Sequence, residues 1–135
     1  MSNLPIFDVA AGAMTAQSVR LSTVASNLAN ADSVAGNPDE VYRPLQPVFA
    51  VQPVAGKPEL AGVGVLEVTE SDAAPIRRYE PGHPLADGDG YVYAPAVDPV
   101  AQMVDMISAS RSYQANVEVF NTARELATAT LGMGK

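Results

Sequence analysis

The sequence predicts an α+β fold: long N- and C-terminal helices paired as an antiparallel coiled coil, with a central excursion rich in β-strands and loops. Three observations support this prediction. Small and apolar residues recur in alternating steps of three and four at both ends of the chain, which is the spacing of a coiled-coil seam. Most of the prolines and glycines lie between residues 35 and 97. The two periodic segments are also similar in length, so they can pair along most of their extent.

The first predicted helix occupies residues 1 to about 32, inside a terminal helical segment that we place at residues 1–34. Asn3 can cap its N-terminus, Pro5 suits its first turn, and Asp8 faces the positive end of its dipole. The run from Asn30 to Ser33, followed by Gly36-Asn37-Pro38, ends it. Its seam consists of Phe7, Ala10, Met14, Gln17, Leu21, Val24, Leu28 and Ala31.

Residues 35–97 are predicted to form a central region of β-hairpin and loops. Short β-type runs lie between its prolines and glycines, at Val41-Tyr42, Val48 to Val51 and Val63 to Val68. Polar and apolar residues do not alternate cleanly from Val65 to Glu70, which leaves the two faces of that strand undetermined. The sequence also leaves open whether the region is a compact sheet or an extended hairpin.

The second helix, in a terminal segment at residues 98–135, has clearer boundary signals. Asp98 is the expected N-cap, Pro99 takes the first helical position, and Gly132 marks the end. At 1.5 Å per residue the two helices would be roughly 43 and 50 Å long. The seam of the second helix consists of Met103, Met106, Ser110, Tyr113, Val117, Phe120, Arg124, Ala127 and Leu131.

The composition argues against several classes of protein. A net charge of −7 is unsuited to nucleic-acid binding, because such proteins need a basic surface to displace counterions from phosphates. The absence of cysteine excludes disulfides and thiol nucleophiles. No apolar run approaches the roughly 18 residues that span a bilayer, and the first residues include no basic segment of a signal peptide. We therefore expect no membrane span, and export without a cleaved signal peptide if the protein leaves the cytoplasm.

Charge is concentrated in the middle of the chain. Residues 32–97 hold ten acidic and four basic side chains, whereas the two terminal segments are almost neutral. A solvated helix normally has a charged face, so two long helices with so few charges are expected to bury more than one face each. One partner helix covers only one face, and further neighbours must then come from other subunits. The alternative is a self-contained two-helix hairpin packed over a β-sheet.

The residues that we expect at an assembly interface lie on the helix seams, or carry amide and guanidinium groups that can bond a neighbouring helix. The alternatives are a C-terminal cap for Asn30, a solvated Asn27, and exposed solubilising charges for the two arginines. The expected interface residues are Phe7, Met14, Leu21, Val24, Asn27, Leu28, Asn30, Met103, Met106, Arg111, Tyr113, Gln114, Asn116, Val117, Phe120 and Arg124.

No group of residues in the sequence indicates catalysis, a cofactor or a metal. His83 is the sole histidine, and no serine or cysteine partner can be assigned to it. The stretch from Asp87 to Gly90 resembles the start of a calcium loop. However, Val92 stands where an EF-hand loop requires glycine, which favours a tight polar turn.

Two segments resemble the signatures of the flagellar rod and hook proteins. The stretch from Ala25 to Ser33 is similar to their N-terminal signature, and the stretch from Ser108 to Val119 is similar to their C-terminal one. Within that family, the opening Ile6-Phe7-Asp8 and the central stretch from Tyr79 to Val92 resemble the proximal rod members. The resemblance covers nearly the whole chain.

The resemblance implies a structural, non-enzymatic subunit of the bacterial flagellar proximal rod, which polymerises through its terminal helices to form the drive shaft that transmits torque. Its expected partners are copies of itself, other rod and basal-body proteins, and the flagellar type III export apparatus. Its expected location is the periplasm-spanning rod of the basal body. The alternative class is a soluble periplasmic binding or adaptor module with a self-contained helical hairpin. For a third class, an enzyme acting on the cell wall, no residue group offers support.

Helices that need several partners are expected to be partly disordered in dilute solution and to gain order on assembly. Far-UV circular dichroism across a concentration series measures this, and helicity is predicted to rise with concentration. Full helicity in a strictly monomeric sample would contradict the prediction.

Overall fold

A computed structural model describes residues 4–135. Two helices frame two antiparallel β-ribbons, which confirms the predicted α+β class with helices at both ends. The elements in chain order are α1 (Pro5–Ala29), a short 3-10 helix (Pro38–Glu40), β1 (Leu45–Val54), β2 (Lys57–Glu70), β3 (Ile76–Tyr79), β4 (Tyr91–Ala94) and α2 (Pro99–Met133).

Helix α1 begins at Pro5 and ends slightly earlier than predicted. Leu4 flanks its start without a side-chain cap, and Asp8 lies in the first turn. The predicted cap, Asn3, lies outside the described residues. At the other end, Asn30 leaves helical geometry, and both its backbone N–H and its side-chain Nδ2 donate to the carbonyl of Ser26, at 3.1 and 2.9 Å. Asn30 therefore caps the C-terminus of α1, which was one of the two roles considered for it.

Helix α2 begins as predicted, because the carboxylate of Asp98 accepts hydrogen bonds from the N–H groups of Val100 and Ala101, at 3.0 and 3.3 Å. Pro99 occupies the first helical position. The helix has 35 residues against 25 in α1, or about 52 Å against about 37 Å at 1.5 Å per residue. The two helices are therefore less equal in length than the sequence suggested.

The helices run antiparallel, as predicted, and three side-chain contacts mark the pairing. The rings of Phe7 and Phe120 meet edge to face with centroids 4.9 Å apart, Arg20 forms an ion pair with Asp105, and Asn27 bonds to Gln102. Small residues allow the close approach between these contacts: Ala10, Ala109 and Ala123 are 2, 0 and 7% exposed.

Strands β1 and β2 form a long hairpin that lies against a second side of α1. Its turn uses Gly56, whose φ of +77° favours a residue without a Cβ. The hairpin approaches α1 closely at Gly12, where an added Cβ would lie 3.0 Å from the carbonyl oxygen of Val63. The middle of the chain is therefore an extended hairpin plus a second small ribbon, rather than one compact sheet.

A β-bulge explains why polar and apolar residues fail to alternate in the second strand. Val48 lies opposite Glu67 and Phe49 lies opposite Val65, so Leu66 has no partner on β1. One extra residue in a strand reverses the faces of all residues that follow it. The run Val41-Tyr42, expected to be of β type, forms no strand and follows the 3-10 helix instead.

Strands β3 and β4 form the second ribbon, which is joined to the loop after α1 by a bridge between Ala35 and Tyr93. Val92 in β4 is fully buried. On the outer side, the guanidinium of Arg77 lies 3.8 Å from the ring centroid of Tyr91, and the ring of Tyr79 meets the same ring edge to face at 5.1 Å. A cation and two aromatic rings thus hold this ribbon together from outside.

The connection between β3 and β4 is organised by Asp87. Its carboxylate accepts hydrogen bonds from the N–H groups of Asp89 and Tyr91 and from the hydroxyl of Tyr93, at 3.0, 2.9 and 3.1 Å. The bond from the Tyr91 N–H is the largest of the effects that lower the pKa of Asp87. The stretch that resembled a calcium loop is a polar turn whose first carboxylate bonds to its own turn.

Because the pKa of Asp87 is lower in the folded chain, its contribution to stability is present in full above the ordinary value of 3.8 and is lost as pH falls through the folded-state value. Asp87→Asn is predicted to remove this dependence, because an amide keeps one oxygen acceptor and does not titrate. Carbon-13 NMR of the Asp87 carboxyl should show a midpoint below 3.8. A midpoint at or above that value would contradict the assignment.

Candidate assembly surfaces

The expected interface residues divide into three groups according to their exposure. Val24 and Asn27 are almost completely buried, at 2 and 3% exposed, and leave a neighbour little to contact. The solvated role considered for Asn27 is therefore wrong. A second group is half-buried. That group consists of Phe7, Met14, Leu21, Leu28, Asn30, Met106, Tyr113, Asn116, Val117 and Phe120.

The third group is exposed on α2 and consists of Met103, Arg111, Gln114 and Arg124. Among residues 4–135, neither Arg111 nor Arg124 forms an ion pair. Met103 is 54% exposed, which is high for a large apolar side chain. The structure thus leaves these four side chains free to meet another subunit.

The face of α2 that contacts α1 is rotated relative to the predicted seam. The predicted seam includes Met103, Arg124 and Leu131, which are exposed, whereas the buried positions of α2 are Ala109 and Ala123. Two alanines let the helix axes approach more closely than a methionine and an arginine would. The rotation turns Arg124 outward and brings the small residues inward.

The same rotation exposes an apolar stripe on the opposite side of α2, which we call the outer stripe and define as Val100, Met103, Val104 and Ile107. These side chains are 69, 54, 63 and 60% exposed. Steps of four and three continue the stripe from Ile107 to the exposed Arg111 and Gln114. Of the four stripe residues, only Met103 is among the interface residues expected from the sequence. The sequence signal that could have identified the stripe is a second set of apolar residues at three-four spacing, which starts at Val100.

A second exposed apolar feature, the end groove, lies where the C-terminal part of α2 passes the start of α1. Its volume is about 410 Å³, and no charged side chain lines it. Two of its side chains, Leu126 and Leu131, are 64 and 75% exposed. None of the interface residues expected from the sequence lines the end groove. Its lining residues are Leu4, Ile6, Ala123, Leu126, Ala127, Thr130 and Leu131.

The junction between α1 and the hairpin contains one perturbed ionisable group. The hydroxyl of Tyr42 donates to Oδ1 of Asn27 at 2.9 Å. Burial raises the pKa of Tyr42, and the negative charge of Glu70 raises it further. Tyr42 therefore stays protonated near neutral pH and keeps its donor role.

Two further findings concern the described part of the chain. Residues 4–135 bring together no group of three or more histidine, aspartate or glutamate side chains that could hold a metal ion. Neither α1 nor α2 combines the length and hydropathy that crossing a membrane requires.

Comparisons with known proteins agree with the placement of the helices. The family described as "Flagella basal body rod protein" matches residues 7–36, and the family described as "Flagellar basal body rod FlgEFG protein C-terminal" matches residues 89–133. The chain is 52% identical to the flagellar basal-body rod protein FlgC of Salmonella typhimurium, over the whole of both chains. It is 41% identical to the FlgC of Aquifex aeolicus, over 88% of this chain and 87% of the relative.

The close helix contact predicts how α2 tolerates a larger side chain. Ala109→Leu adds three carbons at a position that is fully buried, and is expected to destabilise the fold by about 1–3 kcal/mol through overpacking. Ala101→Leu, at an exposed position of the same helix, is the matched control and is expected to change stability by less than about 0.5 kcal/mol. Urea unfolding measures both. Equal stability of the two variants would contradict the assigned contact.

Proposed function

The chain belongs to the FlgC family of flagellar basal-body rod proteins, whose members are structural subunits and not enzymes, and we propose that it polymerises into the proximal rod through its terminal helices. The observation that carries this proposal is the outer stripe, where four large apolar side chains stand more than half exposed. Contiguous exposed apolar surface on a soluble subunit marks an interaction site.

The energetics favour burial of the outer stripe by another subunit. Each large apolar side chain that passes from water into an interface contributes on the order of 1.5–3 kcal/mol when fully buried. Val100, Val104 and Ile107 each retain 60% or more of their exposure in the single chain, so most of that contribution is still available. Arg111 and Gln114 extend the stripe with groups that can bond a neighbour's carboxylate or carbonyl and so set the register.

The two apolar surfaces on α2 suit an extended assembly. Ile107 of the outer stripe and Leu126 of the end groove are separated by 19 positions, about 28 Å along the helix. Contacts between two different surfaces of successive subunits generate helical filaments when the rotation from one subunit to the next does not close a ring. This arrangement supports a tubular rod better than a closed dimer.

Transmission of torque follows from the same contacts. A subunit that packs laterally along an α2 of about 52 Å resists sliding over many side chains at once, so rotation of one subunit is passed to the next. We infer that the assembled subunits form part of the drive shaft that crosses the periplasm. We also infer delivery by the flagellar type III export apparatus, and contacts with other rod proteins.

Introducing negative charge on the outer stripe tests the proposal. The double variant Val104→Glu with Ile107→Glu places two carboxylates in the proposed interface without entering the α1 contact, because both side chains are exposed. It is expected to abolish incorporation into basal bodies in a flagellated host that lacks its own FlgC, and to abolish swimming. Purified basal bodies and swimming plates give the two measurements.

The charge-matched control is Ala73→Glu with Ala74→Glu, at two exposed positions of the loop before β3. This variant is expected to support incorporation and swimming. Incorporation of the stripe variant at the level of the control would overturn the proposed interface. If the unsubstituted chain stays monomeric and never enters the basal body, the result would favour the adaptor class instead.

A further inference from the structure

Asn27 is buried where α1, α2 and the first strand of the hairpin meet. Its side-chain Oδ1 accepts from the N–H of Leu45 at 2.8 Å and from the hydroxyl of Tyr42 at 2.9 Å. Its Nδ2 donates to the carbonyl of Leu45 at 3.0 Å and to Oε1 of Gln102 at 3.1 Å. One amide therefore bonds to α2, to β1 and to the segment before β1.

These four bonds use the full capacity of the amide, which has two donors and two acceptor positions. The side chain is only 3% exposed, so a broken bond leaves a polar group without water to replace it. Leu45 fixes the direction of the amide, because exchanging its oxygen and nitrogen would set Nδ2 against the Leu45 N–H. The orientation is determined by the backbone of β1.

The pair of bonds to Leu45 has the pattern of a β-ladder. The amide of Asn27 meets both the N–H and the C=O of one residue, as the backbone of an adjacent strand residue does. Leu45 is the first residue of β1, and its other neighbour is Glu70 on β2. Asn27 therefore continues the hairpin ladder onto the helix.

A cavity of about 210 Å³ borders this junction and is lined by Asn27, Leu45 and Gln102 among others. Close packing therefore does not hold Leu45 and Gln102 in place on that side. The hydrogen bonds of Asn27 hold these two residues in position instead, because hydrogen bonds are directional and the apolar contacts beside the cavity are incomplete.

We propose that Asn27 is a positioning residue that couples the docking of α2 to the placement of the β1–β2 hairpin on α1. Gln102 is the hydrogen-bond partner of Asn27 on α2, and Leu45 is its partner on the hairpin. When Gln102 is in place, the amide is held in the orientation that Leu45 requires. The proposal concerns contacts within one subunit and does not rest on the rod function.

Hydrogen exchange at the Leu45 amide tests the coupling, using variants of Gln102, which does not touch that amide. Gln102→Leu removes the acceptor for Nδ2 and is expected to raise the exchange rate of the Leu45 amide about tenfold. Gln102→Glu keeps a carboxylate acceptor at the same place and is expected to leave the rate within about threefold of the original. NMR on the full chain measures both.

Three results would overturn the proposal. The first is an unchanged Leu45 exchange rate in Gln102→Leu, and the second is an equal rise in both Gln102 variants. The third is an equal rise at amides throughout α1 and the hairpin, because that pattern indicates general destabilisation rather than coupling at the junction. Asn30→Ala is the matched control, since Asn30 bonds only within its own helix end, and it is expected to leave Leu45 unaffected.

A double-mutant cycle separates coupling from two independent contacts. Asn27→Asp keeps an acceptor for the Leu45 N–H but has no donor for the Leu45 carbonyl or for Gln102. In that background, Gln102→Leu is expected to change Leu45 exchange less than twofold. The coupling would be contradicted if the Asn27 and Gln102 substitutions changed the Leu45 exchange rate by independent factors.

Discussion

The close contact between α1 and α2 determines which surfaces the chain leaves exposed. Alanines at positions 10, 109 and 123 bring the two helices together, and this fixes the rotation of α2 about its own axis. The hairpin covers a second side of α1. Helix α1 is therefore enclosed on two sides within the subunit, whereas α2 is covered on one side only. The asymmetry leaves the outer stripe of α2 uncovered within the subunit.

The polar residues of the helices serve two distinct purposes. Asn27 and Asn30 lie close together in sequence, yet one joins three segments of the subunit and the other caps the end of its own helix. Arg20 pairs with Asp105 inside the subunit, whereas Arg111 and Arg124 point outward from α2. Internal polar bonds thus fix the geometry of the subunit, and the two exposed arginines are the groups that we propose direct its neighbours.

The sequence predicted the helices and their antiparallel pairing because capping and three-four spacing are local signals. Asp98 and Pro99 specify the start of α2 without any tertiary information. The rotation of α2 was less predictable, since its sequence contains two overlapping three-four registers, and only the surface of α1 decides between them. The bulge at Leu66 and the bonds of Asn27 to Leu45 depend on pairings between distant segments, for which the sequence has no local signal.

We propose that a neighbouring subunit buries the outer stripe of α2 in the assembled rod. The chain has no cysteine, so Ile107→Cys introduces a single thiol that a water-soluble maleimide can label. Labelling is compared between the free subunit and purified basal bodies, with Ala73→Cys as the exposed reference. The account predicts that Cys at position 107 reacts in the free subunit and is protected in the basal body. Equal labelling at this position in both states would contradict it.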